Sequence, residues 1–396
     1  MRVAHVITRL IVGGAQENTI ASVLGLASRP GIEVSLVSGP TSGPEGSLQC
    51  AFAERPGMLT IIPPLLRPIH PWKDLLAYRQ LTRHFRSLRP DIVHTHSGKA
   101  GILGRLAASK AETPIIIHSI HGPSFGTFQG LLPNVLFRAS ERYAGRVTTH
   151  FACVADAMKQ QYLAAGIGEP EMYSRIFSGF PLAPFLASTN NLHLRAKLGL
   201  QSEHIVVGKI ARLFRLKGHD DLFDVAPGLI RQCPDLRFLL VGGGEWRGRF
   251  EARARGMGLE KYFIFTGLVQ PSEIPALVGI MDFLVHLSRR EGLPRALPQA
   301  LAAARPVIAY DCDGAKEVCL DGETGFLVPA GDVANLSSRI LHLAQHPALR
   351  EQLGSAGRQF VRERFSVETM VETLHKLYLR LVQQRAPRKS NTAAVS

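Results

Sequence analysis

Short apolar runs rich in β-branched residues alternate with stretches of helical period along the whole chain. VAHVIT (3–8), EVSLVS (33–38), DIVHTH (91–96), PIIIHSI (114–120) and THFACV (149–154) read as strands. Between them, stretches such as GAQENTIASVLGLAS and DLLAYRQLTRHFRSL carry helical spacing. The pattern restarts with HIVVGKI (204–210), LRFLLVG (236–242), YFIFTG (262–267), DFLVHLS (282–288) and RPVIAY (305–310), each followed by a helical stretch. Strands alternating with helices predict parallel, doubly wound sheets, and two sets of strands predict two such α/β domains. The irregular segment FSGFPLAPFLASTNN (177–191) separates the sets and reads as a linker. The predicted division is 1–187, 188–364, a C-terminal helix over 365–384 and a basic flexible tail over 385–396. Ligands of open parallel sheets sit at the carboxyl ends of the strands, so two facing sheets would enclose a cleft lined by strand-end loops.

Composition narrows the class. A chain of 396 residues is too long for one ordinary core, and 45% hydrophobic with 20% charged residues describes a folded globular protein. No run of 18 apolar residues predicts a membrane span. The start, MRVAHVITRL, enters a strand-like run without a signal-peptide pattern. Cys50, Cys153, Cys233, Cys312 and Cys319 are scattered, with no CxxC, so a reducing cytoplasm is the expected location. The net charge of +14 divides evenly, +7 in residues 1–185 and +7 beyond, which is unlike a dedicated nucleic-acid stripe. An anionic small molecule or an anionic membrane surface fits that charge at least as well.

The strand-end loops carry the candidate chemistry. Gly13 and Gly14 precede a predicted helix, where backbone N–H groups can approach a phosphate; a plain tight turn is the other reading. After HIVVGKI, Arg212, Arg215 and Lys217 crowd ahead of another helix, an arrangement that can hold a pyrophosphate without a metal. Gly242-Gly243-Gly244-Glu245 fails the G-x-G-x-x-G pattern, because position 247 is Arg, and reads as a flexible turn. In EGLPRALPQALAAARPVIAY (291–310), Pro294 and Pro298 predict a helix beginning at one or the other, with Glu291-Gly292-Leu293 as the turn before it. Were it helical throughout, the eight residues from Glu291 to Gln299 would rise about 12 Å, the reach from a sugar to a ribose in a nucleotide sugar. A capping acid and a solvated amide are the bland readings of the same two residues.

His94, His96, His118 and His121 gather near strand ends, but no carboxylate or cysteine stands beside them at zinc-ligand spacing. Ordinary polar or substrate-contacting roles are the expectation. Asp311-Cys312-Asp313 is a D-x-D, a triplet short enough to recur by chance, and the basic cluster already supplies cation chemistry. No metal and no cofactor is expected.

Taken in order, the early GGA loop, His121-Gly122, ARLFRLKG, VGGGE, FTG, EGLP…ALAAARPVIA and DGETGFLVP resemble the retaining GT-B glycosyltransferases of family 4 (glycosyl transferases group 1). The likeness spans residues 1 to about 330, with RLFRLKG and EGLP its strongest blocks. It implies two Rossmann-like domains facing a cleft, the last helix crossing back to the first domain, and a nucleotide-diphosphate sugar as donor. It places Gly13 and Gly14 at the donor phosphates, Arg212 and Lys217 on the diphosphate, and Leu268 and Val269 at the nucleobase. His121 would touch the transferred sugar, and Glu291, with Gly292 and Leu293, would meet the donor sugar. Gln299 falls where the family's E-x7-E motif has its second glutamate, which binds ribose hydroxyls. An amide there both accepts and donates, so the substitution weakens the grip by roughly 1–2 kcal/mol without touching the chemistry. With no second carboxylate placed as a nucleophile, same-face attack is the expected route to retention, with Arg212, Lys217 and helix N-termini stabilising the departing diphosphate. Gln16, His96 and Lys99 are the expected acceptor contacts.

The acceptor itself is not legible. A basic helix (Arg79, Arg83, His84, Arg86, Arg89) and the apolar FGTFQGLLPNVLF read either as a surface docking on anionic lipid to reach a lipid-linked acceptor, or as a solvated helix and a buried loop. Two rival functions remain: a nucleotide-sugar epimerase on the same scaffold, and a nucleic-acid-binding protein, the latter resting on charge alone.

Overall fold

The computed structural model describes residues 1–41, 46–126 and 128–385, so the basic tail beyond residue 385 lies outside the described residues. Each of the ten predicted apolar runs forms a strand. In chain order the first sheet uses β1 (Arg2–Ile7), β2 (Glu33–Ser38), β3 (Leu59–Ile61), β4 (Ile92–His96), β5 (Ile115–Ile120), β6 (His150–Cys153) and β7 (Tyr173–Arg175). The second uses β8 (Ile205–Ile210), β9 (Leu236–Val241), β10 (Phe263–Gly267), β11 (Phe283–His286), β12 (Val307–Tyr310) and β13 (Gly325–Val328). Strands β3, β7 and β13 have no predicted counterpart. All three are edge strands of three or four residues, too short to show a period.

Both sheets are parallel, in the orders β3-β2-β1-β4-β5-β6-β7 and β10-β9-β8-β11-β12-β13. The near-continuous apolar runs follow from that arrangement, because a parallel sheet is covered by helices on both faces; β4 and β5 are buried at every position. The chain divides into two units. The first takes residues 1–154, 159–179 and the helix Val367–Arg385; the second takes 155–158 and 180–366. The linker-like 177–191 segment is thus where the chain passes between units, at Gly179–Phe180, and it contains a short helix, Ala183–Leu186.

In the first unit the last helix lies on the helix Gly14–Ala27. Met370, Val371, Leu374, Leu377, Tyr378 and Leu381 are buried in one cluster with Ile7, Val23, Leu36 and Ile117. Gly25 permits the approach: a Cβ there would come within 2.5 Å of Val371. The second unit packs an aromatic stack, with the rings of Phe223 and Phe263 4.2 Å apart and 4° from parallel, over Leu229, Phe238 and Val285.

Each sheet has one place where neighbouring strands send the chain in opposite directions, between β1 and β4 and between β8 and β11. There the two outgoing loops part and leave room at the carboxyl edge. In the second unit the parting loops are also tied together: Arg289 N donates to Leu216 O at 2.9 Å, and Gly218 stands where a Cβ would lie 2.0 Å from Leu287 O. Gly218 has φ 63°, the left-handed conformation that glycine alone adopts at no cost. Gly218→Ala combines left-handed strain with overpacking against a backbone carbonyl and is expected to cost about 2–4 kcal/mol, read as a lower urea midpoint at unchanged slope. An unaltered midpoint would mean that the two loops are not held in contact.

Candidate functional site

The switch point of the second sheet brings Lys217, at the end of the β8 loop, to Glu291, at the end of the β11 loop. They form an ion pair, each side chain 21% exposed, although 74 residues separate them. Ser288 Oγ lies 3.3 Å from Lys217 Nζ. His286, the last residue of β11, places Nε2 3.5 Å from Glu291 Oε1, which is ion-pair range but long for a strong hydrogen bond. The Glu291 backbone is fixed as well: its N–H donates to Asp313 Oδ2 at 2.7 Å, and Gly314 N–H to Gly292 O at 3.1 Å. One member of the D-x-D triplet therefore has a structural job.

Electrostatics keep Glu291 ionised. Burial pushes the Glu291 pKa up, but His286 and Lys217 overcome it and keep the carboxyl well below its ordinary range. Beneath them, Lys209 on β8 is fully buried; burial and repulsion from Lys217 bring its pKa down to about 7, against the pull of Asp221 and Glu291. The helix His219–Gln232 starts just after Lys217 with Gly218 at its N-cap, which offers no side chain to the first backbone N–H groups. Asp220 and Asp221 in that first turn are both occupied. Asp221 accepts from Arg289 at 2.9 Å and from Tyr310 at 2.8 Å, and Asp220 pairs with Arg249 and Arg253. A ligand anion at this place would meet the Lys217 ammonium and a helix N-terminus.

Arg212 is exposed, its guanidinium 5.8 Å from the Phe214 ring, while its carbonyl accepts from His219 Nε2 at 3.1 Å. It is on the same loop as Lys217 but not in the ion pair. Leu268 is exposed and Val269 half-buried, directly after β10. The triple glycine after β9 is not a flexible turn: Cβ atoms at Gly242 and Gly244 would fall 2.3 and 2.4 Å from the carbonyls of Ala211 and Leu213. Glycine there lets the loop pack directly on the one that carries Arg212. The helix bearing Gln299 runs from Ala296 to Ala302, starting at neither proline. Pro294 lies in the non-helical segment before it, and Pro298 sits inside the first turn, where its missing N–H has no intrahelical partner to lose. Residues 291–295 are not helical, so the 12 Å spacing of a continuous helix does not apply; Gln299 is half-buried.

In the first unit Gly13 caps the helix that begins at Gly14, with Gln16 folded back over it, 2.9 Å from where a Gly13 Cβ would be. Lys99 bonds to Asp74 at 2.6 Å and to Pro68 O. The histidines do come together, and they include one that the sequence reading passed over. His96 Nδ1 is 2.9 Å from His121 Nε2, His96 Nε2 is 2.9 Å from His5 Nδ1, and Tyr378 Oη lies 3.2 Å from His5 Nε2 and 2.6 Å from His94 Nδ1. His94 Nε2 meets Ser119 Oγ at 2.8 Å. Nitrogens of His5, His94 and His96 lie within 4.8 Å of one another, the reach of a metal site, yet both nitrogens of each ring are engaged in these bonds. His118 belongs elsewhere, bonded to Thr95 Oγ1 at 2.9 Å. The only sequence signal for His5 was a polar residue in an otherwise apolar strand; Tyr378, 373 residues from His5, had none.

Comparison with known proteins follows the same division. The model for glycosyl transferases group 1 matches residues 191–360, and that for the glycosyl transferase 4-like domain matches residues 13–173. The chain is 29% identical over 340 residues to the putative glycosyltransferase EpsD of Bacillus subtilis, covering 83% of this chain and 86% of that protein. It is 26% identical over 390 residues to an Escherichia coli UDP-Gal:α-D-GlcNAc-diphosphoundecaprenol α-1,3-galactosyltransferase, covering 96% and 97%. The crystal structure of Anabaena HepE with UDP-glucose superposes with a TM-score of 0.81 at 21% identity, covering 96% of this chain and all of that one, a likeness of fold.

The buried imidazoles make an acid-sensitivity test. Burial lowers the pKa of His5 to about 3 and of His121 and His150 to about 4, and holds His94, His96 and His118 well below 6.5, helped for His94 and His96 by repulsion from neighbouring histidines. With folded-state pKa values below the unfolded 6.5, the unfolded chain binds more protons, so stability is complete above about pH 6.5 and falls as pH drops toward 4. Each such histidine contributes up to about 1.4 kcal/mol per pH unit in that window. The urea midpoint should drop steeply from pH 6.5 to 5, and His5→Asn should flatten the slope; a level profile would rule out a neutral buried cluster.

Proposed function

We propose that this chain, which belongs to the glycosyl transferases group 1, the GT-B glycosyltransferases of family 4, is a retaining, metal-independent hexosyltransferase with a UDP- or GDP-linked sugar donor and a lipid-linked hydroxyl acceptor. Glycosyltransferases like it use nucleotide sugars in polysaccharide, glycolipid and capsule synthesis. The observation that carries the finer reading is the Lys217–Glu291 pair at the switch point of the second sheet.

In that reading Lys217 moves from Glu291 to the donor diphosphate when the donor binds. Together with Arg212 and the uncapped N-terminus of the helix His219–Gln232, it stabilises the negative charge that grows on the leaving diphosphate. Glu291, kept ionised, accepts hydrogen bonds from hydroxyls of the donor sugar, and Gly292 and Leu293 form the turn beside it. Leu268 and Val269 meet the base, and Gln299 the ribose. From the first unit, His121 is assigned to the transferred sugar, Gly13 and Gly14 to the phosphates, and Gln16, His96 and Lys99 to the acceptor side. Glu291 is assigned to hydroxyls of the donor sugar and no second carboxylate is assigned as a nucleophile, so retention proceeds by attack on the face from which the diphosphate leaves. An epimerase would release a modified sugar with no acceptor, which a donor-only reaction would reveal.

A lipid-linked acceptor is supported by exposed residues on two helices of the first unit. On the helix Leu131–Gly145, Leu131 and Leu132 are 83% and 79% exposed, Val135 and Leu136 are 57% exposed, and Arg138, Arg142 and Arg146 follow on the same stretch. Trp72 is 74% exposed on the basic helix Pro71–Leu88. Exposed leucines beside arginines suit insertion at an anionic lipid interface. Among the described residues no helix is long and apolar enough to cross a membrane.

Lys217→Ala is expected to cut turnover of the preferred nucleotide sugar by about 10²–10³-fold with the thermal midpoint preserved, the preferred donor being identified by thermal shift with UDP-, GDP- and ADP-sugars. Near-normal turnover would remove Lys217 from the diphosphate. On phosphatidylglycerol vesicles at low salt the protein should co-sediment, and Leu132→Glu with Leu136→Glu should abolish this; equal binding by both proteins would remove this helix from the membrane.

A further inference from the structure

The hydrogen bonds around His5, His94, His96, His121 and Tyr378 allow few arrangements of protons. His5, His96 and His121 form a chain of nearly coplanar imidazoles, their ring centres 5.2 Å apart in each step and their planes 15° and 26° apart. That is the geometry of rings bonded edge to edge, N–H to N. His94 does not share it: its ring is stacked on His96 at 4.4 Å and reaches the chain through Tyr378. Rings placed this way do not aim their nitrogens at one common point, as ligands of a tetrahedral ion would.

Burial keeps these histidines neutral, so each carries one proton and each N···N contact needs one donor and one acceptor. Tyr378 has one hydroxyl hydrogen and two histidine partners, so it donates to one and accepts from the other. Only two states then satisfy every bond. In one, His94, His5, His96 and His121 all carry hydrogen on Nε2, and His121 Nδ1 is a bare acceptor. In the other, all four carry it on Nδ1, and His121 Nδ1 is an N–H donor. Any mixture leaves two lone pairs or two hydrogens facing each other in a dry interior, at roughly 1–3 kcal/mol.

Ser119 selects between the two. Its side chain is buried, and its hydrogen-bond partner is His94 Nε2. In the first state His94 holds the hydrogen of that bond and the serine hydrogen is left over; in the second the serine donates and nothing is left over. Beside them, Asn18, Ser22, His94, Ser119 and Met370 line a small cavity, so the inner end of the chain is a confined place.

We propose that Ser119, His94, Tyr378, His5 and His96 form a single tautomer relay that holds His121 with its hydrogen on Nδ1, so that the last helix of the chain, through Tyr378, sets whether His121 donates or accepts. His5, His94, His96 and Tyr378 are positioning residues in this scheme, and His121 is the group that they present. The use of that donor against an oxygen of the transferred sugar rests on the proposed function above; the relay does not.

The two are tested separately on the full-length protein. In ¹⁵N-histidine-labelled protein at pH 7.5, the ring nitrogens of His121, assigned with His121→Gln, should show hydrogen on Nδ1. Tyr378→Phe, which removes only the hydroxyl, should convert His121 to a mixture of tautomers, and Ser119→Ala, which removes the group that selects between the two states, should do the same. The relay is overturned if wild-type His121 carries its hydrogen on Nε2, if its signals are indifferent to both substitutions, or if the purified protein holds one zinc per chain that His5→Asn removes. In the kinetic arm, Tyr378→Phe should lower kcat about tenfold at unchanged KM for the nucleotide sugar. If the tautomer follows Tyr378 but kcat does not move, the relay stands and the placement of His121 at the sugar falls.

Discussion

Lys217 and Glu291 meet because β8 and β11 are neighbours in a parallel sheet from which the chain departs in opposite directions. Parallel strands point all their carboxyl ends to one edge, and only at the switch point do two adjacent loops part. The ion pair fills that gap, and the surrounding features keep it there. Gly218 allows the β8 loop to touch the carbonyl of Leu287, Gly242 and Gly244 let the β9 loop press on residues 211–213, and Asp313 and Gly314 hold the backbone of Glu291 and Gly292. The glycine contacts are close approaches of backbone to backbone, which explains the glycines at those positions of the loops.

The first unit answers the same constraint with different chemistry. Its switch-point strands carry His5 on β1 and His94 and His96 on β4, with His5 paired directly opposite His94. Inward-facing imidazoles in a fully buried sheet must be neutral and must find partners, and they find one another. The arrangement closes only because the last helix brings Tyr378 to the two that would lack a bond. A helix that the topology adds last is therefore part of the polar interior of the first sheet.

The strands buried on both faces were legible, since their apolar runs are a direct consequence of double burial, and so were the loops that follow them. The edge strands β3, β7 and β13 were not, because three or four residues carry no period and an edge needs no continuous apolar run. In the site, Lys217 and Glu291 could be named from their places at strand ends. His286 and Lys209 could not, because a polar residue near the end of an apolar strand looks the same whether it faces a site or a helix. The stretch from Glu291 to Gln299 shows the limit locally: two prolines fixed that a helix starts nearby, but packing put its start at Ala296, leaving five residues non-helical and changing the distance between the two ends.

By itself, then, the sequence determined two parallel α/β sheets and which loops would hold charge, because burial of parallel strands and the chemistry of strand-end loops are written in local patterns. The tertiary structure alone decided which charges pair, which glycines are contacts and which histidines share protons. Those depend on distances between residues 74, 91 and 373 positions apart, and only the closing of the sheets and the docking of the last helix set such distances.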